Sequence, residues 1–290
     1  MHIDRILGNM MQKLLIGTAA IALSGCSWIG NSHYQGPAAN DGYGNYGQDT
    51  YSDDECCKTL SRWNLEGAVG AEWMVGGDFT TPEDITAIVG QTPHEVSMSD
   101  AYKRGMRYEV GGSYALNPNR KITLSGSYSK AEGKDVAFST TAGAPDNVLR
   151  GTASDYKSYG LELGLRQYFQ PSPFPVVRSI RPYIEGKIGA AKVDDISIEN
   201  ARDNGGAVNG GTIAMYESGW VPMAAGMIGV EAPIFKRATL GLETGLRYRM
   251  GLGGDNTDLS AIGALPQLEG MNNGSQNWSV PVMLRGRYRF

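Results

Sequence analysis

Eight segments of the chain alternate between apolar and polar residues with a period of two, and this pattern limits the possible folds more than any other feature. From 159 to 166, for example, tyrosine and leucine occupy the odd positions, while glycine, glutamate and arginine occupy the even ones. Successive side chains of a β-strand point to opposite faces, so each segment predicts a strand with one apolar face. The predicted strands are 63–77, 106–116, 121–133, 158–169, 182–193, 219–234, 238–251 and 277–290.

The connections between these strands alternate in length. Short ones lie at 117–120, 170–181 and 235–237, and long ones at 78–105, 134–157, 194–218 and 252–276. In an antiparallel meander, alternate connections lie at opposite ends, so all the long ones share one end. Short turns at one end, long loops at the other and an even number of strands are typical of transmembrane barrels. We predict an all-β fold, an eight-stranded antiparallel up-and-down barrel.

The alternation itself does not say which face of the barrel points inward. A soluble, lipocalin-like barrel has eight strands with its apolar face inside, whereas a transmembrane barrel has that face outside. Glutamate and arginine separated by glycine on the polar face suit a narrow polar lumen. Aromatic residues near the strand ends suit the two membrane interfaces; they are Trp63, Tyr114, Tyr159, Phe169, Trp220, Tyr248, Trp278 and Tyr288. The transmembrane barrel is therefore the prediction for 63–290.

The N-terminal segment has the organisation of a secretion signal. Lys13 precedes an apolar run of about ten residues, which is too short to cross a bilayer. The run closes on Leu23-Ser24-Gly25-Cys26, which resembles the bacterial lipobox, whose cysteine is lipidated on its thiol and becomes the first residue after cleavage. An ordinary signal peptide with a chance cysteine is the alternative. We predict residues 1–25 as a lipoprotein signal peptide starting at Met1 or Met11, with a covalent lipid such as palmitate on Cys26 as the sole attached group.

Residues 26–62 are rich in glycine, asparagine, tyrosine, aspartate and serine, and predict a flexible periplasmic linker because few aliphatic residues are available to bury. Ser27 is compatible with sorting of a lipoprotein to the outer membrane. The pair Cys56-Cys57 lacks neighbouring ligands for a metal site. A redox role or an intermolecular disulfide stays open for the pair, as does entry of the linker into the lumen.

Residues 63–290 resemble the small OmpA/OmpX-type outer-membrane barrels in architecture. The closing GRYRF, with Tyr288 and Phe290 at alternate positions, resembles the C-terminal signal that the barrel-assembly machinery reads. The resemblance implies a place in the bacterial outer membrane, both termini in the periplasm, and outer-membrane lipid and lipopolysaccharide as surroundings. The lipobox departs from the pattern, because most such barrels have an ordinary cleavable signal.

The polar faces of the predicted strands carry many charged residues. An eight-stranded barrel is only wide enough for side chains to fill, and unpaired charges there are costly. We therefore predict a salt-bridged plug, with a narrow gated pore as the alternative, and we expect Glu66 and Glu72 to lie near the arginines of the last strand. The predicted network comprises Glu66, Glu72, Glu109, Arg107, Glu162, Arg166, Glu185, Lys187, Glu243, Arg247, Arg249, Arg285 and Arg287, and Glu231 is a further candidate.

Other chemistry has little support in the sequence. His94 lies near Ser97, Ser99 and Asp100, but a solvated loop histidine explains it equally, and nucleotide, zinc and nucleophile-elbow motifs are missing. The formal net charge of −4 gives no basis for nucleic-acid binding. We predict neither a catalytic site nor a metal or cofactor.

The four long connections are the other candidate for a function. The first, third and fourth have an excess of three, four and three acidic residues, while the second is neutral. In the first, Thr81 and Pro82 predict the start of a short helix. Connections of this length are usually functional or disordered. The sequence thus favours a structural or interaction role in the cell envelope, with loops that bind an envelope protein or a second copy; the alternative is a narrow passive channel or an OmpW-like transporter of small or hydrophobic solutes.

Overall fold

The computed structural model describes residues 62–81, 91–141, 144–169, 179–203, 206–207, 211–255, 272, 274 and 276–289. Cys26, the Cys56-Cys57 pair, the helix predicted after Thr81 and Phe290 lie outside these residues. In chain order, the strands are β1 (Trp63–Gly76), β2 (Asp78–Thr80), β3 (Gln91–Pro93), β4 (Val96–Ser97), β5 (Gly105–Asn117), β6 (Arg120–Ala131), β7 (Asp135–Thr141), β8 (Ala144–Ala153), β9 (Tyr156–Tyr168), β10 (Arg181–Val193), β11 (Ile196–Asp203), β12 (Gly206–Ala207), β13 (Thr212–Tyr216), β14 (Gly219–Phe235), β15 (Ala238–Arg249) and β16 (Asn277–Arg289).

Eight of these strands form a closed antiparallel barrel in the order β1-β16-β15-β14-β10-β9-β6-β5. Their bounds agree with the predicted strands to within two residues, and the predicted barrel is confirmed. The closing pair is β1 with β16, in a register that sets Glu66 opposite Arg287 and Ala68 opposite Arg285. Strands β5 and β6 are joined by residues 118–119, and β14 and β15 by residues 236–237. We call this end, where residues 62 and 289 also lie, the short-turn end.

The barrel has its apolar residues outside and its charged residues inside. Leu163 on β9 is 51% exposed, whereas Glu162 and Arg166 on the same strand are buried. A soluble barrel would bury the leucines instead, so the lipocalin-like alternative is wrong and the barrel is of the transmembrane class. Within the described residues, no helix is long and apolar enough to cross a membrane.

The described parts of the long connections are folded, which the sequence did not predict. They contribute a second sheet, in the order β12-β11-β8-β7-β3 with β13 on β11, and a two-stranded pair, β2-β4. A single-turn helix, Met98–Ala101, is capped by Ser97, whose hydroxyl accepts from the backbone N–H of Asp100. We call these elements together the loop domain. Their strands lack a strong apolar–polar alternation of their own, and they are stabilised by one another.

An apolar core fills the loop domain and extends into the adjoining end of the barrel. It is built from aromatic and aliphatic residues of several connections, among them Phe79, Met98, Phe138, Ile198 and Tyr216, all buried. Barrel residues continue it, namely Ala131, Tyr156, Ala191, Val193, Val221 and Met223. The interior therefore has two layers, an apolar one at the loop end and a charged one in the rest of the barrel.

Candidate functional site: the ion-paired lumen

Small residues beside the charged ones make room for a crowded lumen. Gly164 on β9 lies opposite Lys187 on β10 and Thr123 on β6. A Cβ at Gly164 would lie 2.4 Å from the Thr123 hydroxyl and 2.8 Å from a carboxylate oxygen of Glu185. The alternation of glycine with glutamate and arginine is thus a packing requirement, since long side chains cross the lumen over positions that lack one.

Two arginines bridge carboxylates in the half of the lumen nearer the short-turn end. Arg166 donates from Nη2 to Glu66 at 2.9 Å and to Glu185 at 2.8 Å. Arg285 donates to Glu243 at 2.7 Å, to Glu109 at 2.9 Å and to Glu66 at 3.4 Å. These six charged residues come from six strands, so the ion pairs join opposite walls of the barrel.

The centre of the lumen is organised around Glu109, whose carboxylate contacts four cations. One oxygen accepts from Arg107 at 2.8 Å and from Arg247 at 3.0 Å. The other accepts from Lys187 at 3.0 Å and from Arg285 at 2.9 Å. A carboxylate has about four lone-pair sites, so Glu109 is fully used.

Glu162 and Glu72 complete the charged layer towards the loop end. Glu162 accepts from Arg107 and, at 2.6 Å, from Arg247. Glu72 accepts from Arg249 at 2.9 Å and from the hydroxyls of Ser129 and Ser279, each at 2.6 Å. Directly beyond this level the apolar core begins, because the ring of Tyr156 lies 5.9 Å from the Arg249 guanidinium.

A tyrosine and an ion pair form the last level at the short-turn end. Arg287 lies 2.7 Å from Glu231 and donates to the Tyr168 hydroxyl at 2.7 Å. Tyr168 in turn donates to Glu231 at 3.2 Å. The expectation that Glu66 and Glu72 lie near the arginines of β16 holds for Glu66 with Arg285, while Glu72 pairs instead with Arg249 of β15 and Arg107 of β5.

The structure brings all thirteen residues of the predicted network, and Glu231, into this one lumen. Several neutral partners were missed, of which Thr123 donates to Glu185 at 2.5 Å and Tyr183 donates to Glu243 at 2.8 Å. Lys121 and Tyr168, also missed, lie in the same lumen near the short-turn end. The sequence contained a signal for these residues, because each lies on the polar face of its strand, at an even spacing from the other polar residues of that face.

The chemistry available in the lumen is therefore electrostatic. Seven glutamates face eight lysines and arginines there when Lys121 is included, so the charges nearly balance. The carboxylates are held by cations or hydroxyls on several sides, which leaves little capacity for acid–base work. Within the described part of the chain, no group of three or more potential metal ligands occurs.

The His94 region does not form a catalytic arrangement. Ser97 donates to Asp100 at 2.8 Å and contacts the Ser99 hydroxyl at 2.8 Å, as part of the helix cap. His94 is exposed. Its backbone carbonyl accepts a hydrogen bond from the Thr80 hydroxyl at 2.8 Å. Its imidazole takes part in none of these bonds.

Two tyrosines in the loop domain lie in strongly apolar surroundings. Burial raises the pKa of Tyr102 well above its usual value, and its hydroxyl has no hydrogen-bond partner among the described residues. Burial also raises the pKa of Tyr216, but its hydroxyl donates to the carbonyl of Phe79 at 2.7 Å. The two tyrosines share the Phe79 ring, at 5.9 Å and 6.5 Å between centroids.

No model of a protein family matches the sequence, and no curated protein is significantly similar to it. Solved structures with a similar course of the chain include Neisserial surface protein A, which is 12% identical over 80% of this chain and all of that one, with a TM-score of 0.40. The Ail protein of Yersinia pestis is 13% identical over 78% of this chain and 98% of its own, with a TM-score of 0.35. The outer membrane protease OmpT from Escherichia coli is 9% identical over 82% of this chain and all of its own, with a TM-score of 0.41. At these identities the similarity concerns the fold and carries nothing about activity.

Proposed function

We propose that this protein is a lipid-anchored barrel of the bacterial outer membrane that does not conduct and that presents its loop domain to partners outside the cell. The observation that carries this proposal is the filled interior, in which an ion-paired layer and an apolar core follow one another along the barrel axis. A channel needs a continuous polar path, and the stacked layers interrupt it twice.

The charged layer is suited to a permanent seal. Arg247 bonds Glu109 and Glu162 at 3.0 Å and 2.6 Å, and all three are buried. Removing one partner of such a pair leaves an uncompensated charge, which costs about 3–5 kcal/mol. Opening a path through the layer requires several ion pairs to separate at once, so the free-energy barrier to the passage of ions is high.

The loop domain is suited to recognition because it is a folded surface with its own core. Its outer face carries exposed ion pairs, such as Arg202 with both carboxylate oxygens of Asp135 at 2.9 Å. The acidic excess of three of the long connections gives this end of the molecule a negative character. An envelope protein or a second copy of the barrel with a basic surface is the partner class that fits.

Two sequence features and the barrel exterior support the membrane location. The exterior carries a band of exposed leucine, isoleucine and valine that would be unfavourable in water. The lipobox ending at Cys26 and the closing GRYRF resemble signals of lipidation and of outer-membrane assembly. With residues 62 and 289 at the short-turn end, these features favour a periplasmic position for both termini and an external position for the loop domain.

Site-directed labelling tests the location and orientation together. In a background of Cys56→Ser and Cys57→Ser, one variant carries Glu199→Cys in the loop domain and the other Lys236→Cys in a short turn. We expect a membrane-impermeant maleimide to label Glu199→Cys in intact cells and Lys236→Cys only after the outer membrane is permeabilised. Labelling in the reverse order would contradict the proposed orientation, and a soluble product would contradict the location.

The lipid anchor has its own test. The intact mass of the purified protein is expected to exceed that of the chain from Cys26 by the mass of the attached lipid, and Cys26→Ala is expected to carry no lipid. An unmodified Cys26 in the wild-type protein would show an ordinary signal peptide instead, without affecting the barrel assignment.

A further inference from the structure

A buried lysine that forms no ion pair with any described residue lies in the lumen at the short-turn end. Lys121, at the start of β6, is 7% exposed. Its ammonium forms no ion pair or hydrogen bond with any residue that the structure describes, and it lies 5.1 Å from the centroid of the Tyr168 ring. An ammonium has three donors, and burying it unpaired is costly. By contrast, every lysine and arginine of the predicted lumen network, to which Lys121 did not belong, has a carboxylate partner.

The same tyrosine is surrounded by two further cations. The guanidinium carbons of Arg181 and Arg287 lie 4.8 Å and 5.8 Å from its ring centroid. Arg287 pairs with Glu231 at 2.7 Å. Arg181 donates to the carbonyl of Pro118 at 3.0 Å and has no carboxylate partner among the residues that the structure describes.

The carboxylates that face Lys121 are already engaged. The carboxylates near Tyr168 at this end of the lumen are Glu231, which accepts from the Tyr168 hydroxyl, and Glu66, which accepts from Arg166. Glu231 is paired with Arg287, and Glu66 is paired with Arg166 and Arg285. Lys121 and Arg181 are therefore two basic side chains at this mouth that pair with no described carboxylate.

The rim around this mouth adds to the positive potential. Its described residues include basic side chains in the turns, such as Arg120, Lys236 and Arg237, and no aspartate or glutamate on the exposed surface. A concave site lined by one sign of charge raises the local concentration of the opposite ion. Anions are thus drawn to the entrance above Lys121.

We propose that the short-turn mouth of the lumen is an oxyanion site, in which a phosphate group binds Lys121 and Arg181 beside Tyr168. A phosphate dianion carries two negative charges, which suit these two basic side chains. The Arg181 guanidinium offers a planar pair of donors to the phosphate oxygens, and the Lys121 ammonium offers a point charge. The phosphate comes from the aqueous side as a free ion or from the headgroup of an anionic lipid at the rim. This site is additional to the proposed envelope function and does not depend on the loop domain.

Thermal unfolding of the full chain in a phosphate-free detergent solution provides the first arm of the test. Inorganic phosphate is expected to raise the Tm above its value in sodium chloride of equal ionic strength and pH. Lys121→Met retains the apolar stem and removes the ammonium, so we expect at least a tenfold loss of apparent phosphate affinity with no loss of Tm in chloride. Lys192→Met, an exposed lysine at the loop end of β10, serves as the control and is expected to respond to phosphate as the wild type does.

Lipid nanodiscs without free phosphate provide the second arm. If phosphatidylglycerol raises the Tm above that in phosphatidylcholine, and Lys121→Met abolishes the difference, the ligand is a lipid headgroup; a response to inorganic phosphate alone identifies a free ion. Arg181→Gln is expected to weaken the same response and decides the matter if Lys121→Met does not fold. The proposal is overturned if neither phosphate nor the anionic lipid raises the Tm, or if the folded variants respond as the wild type does.

Discussion

Arg166 and Glu66 lie 2.9 Å apart although their strands, β9 and β1, are separated by two others in the barrel wall. The contact exists because both side chains point into the lumen, where they are buried and can meet across it. Arg166 also bonds Glu185, so a single guanidinium connects three strands. The barrel is therefore stabilised by ion pairs between residues that lie far apart in the sequence.

Removal of this guanidinium is expected to be costly. Arg166→Met leaves Glu66 and Glu185 without a shared cation in the lumen, and we expect a loss of about 3–5 kcal/mol in the free energy of unfolding. Lys103→Met is the control, because Lys103 pairs with Glu132 at 3.1 Å on the exposed surface, where a pair is worth about 0–1 kcal/mol. Urea unfolding from lipid vesicles measures both, and equal losses would show that the lumen pairs contribute no more than surface pairs.

Two glycines of β14 are expected to differ sharply in their tolerance of a methyl group. A Cβ at Gly229 would lie 2.4 Å from the Cζ atom of Tyr183, a ring that is held by its bond to Glu243, whereas a Cβ at Gly226 would meet nothing within 4 Å. We expect Gly229→Ala to cost about 1–3 kcal/mol through overpacking and Gly226→Ala to change stability by about 0.5 kcal/mol or less. The same urea experiment checks both, and an equal response would contradict the placement of Tyr183 over Gly229.

The loop domain is expected to lose stability in alkaline solution. Tyr102 has a raised pKa in the folded state, so its stabilising contribution is complete below the usual tyrosine value of 10.0 and declines as the pH rises above it, when the unfolded chain ionises first. Tyr102→Phe removes this contribution to the decline and also removes a buried hydroxyl that lacks a partner among the described residues. We expect the variant to be at least as stable as the wild type at pH 7.

Tyr216→Phe is the matched comparison for that variant at pH 7; because burial also raises the pKa of Tyr216, it is expected to lessen the alkaline decline too. It removes a hydrogen bond of 2.7 Å to the Phe79 carbonyl and is expected to cost about 1–2 kcal/mol at pH 7. Thermal unfolding of both variants between pH 7 and pH 11 provides the measurement. A Tyr102→Phe protein that is less stable than Tyr216→Phe would show that the Tyr102 hydroxyl has a partner outside the described residues.

The outer face of the barrel is expected to reject charge at mid-height. Leu163→Arg places a cation where the band of exposed leucines lies, and a charge at the bilayer midplane costs about 2–4 kcal/mol. Glu199→Arg in the loop domain, an exposed position, is expected to leave folding into vesicles unchanged. If Leu163→Arg inserts as readily as Glu199→Arg, this face does not contact lipid.

The sequence predicted the barrel because its strands are long and their alternation is strong. In β9, four apolar residues alternate with glycine and charged residues. In a transmembrane barrel the apolar face contacts lipid, so the charged face must point into the lumen. The charged residues could be assigned to the lumen from their parity, but their partners could not. Arg247 bonds Glu109 and Glu162 across the lumen, and such contacts depend on the shear of the barrel and on side-chain length.

The loop domain was missed because its strands have a weaker local pattern. β11 has Ile196 and Ile198 directed inward, which is too few apolar positions to distinguish a strand from a loop. Its stability comes from Tyr102, Tyr216 and other residues that lie far apart in the chain. The unpaired ammonium of Lys121 was equally invisible, since a lysine on a polar strand face is expected to have a carboxylate nearby.

Planar-bilayer recording of the purified full-length protein tests the central claim most directly. The filled lumen and the apolar core above it predict a silent membrane at voltages where a general porin conducts, both for the wild type and for the control Lys103→Met. A simultaneous vesicle assay establishes that the protein has inserted. Steady unitary conductance steps from the wild-type protein would contradict the account and support a narrow passive channel in its place.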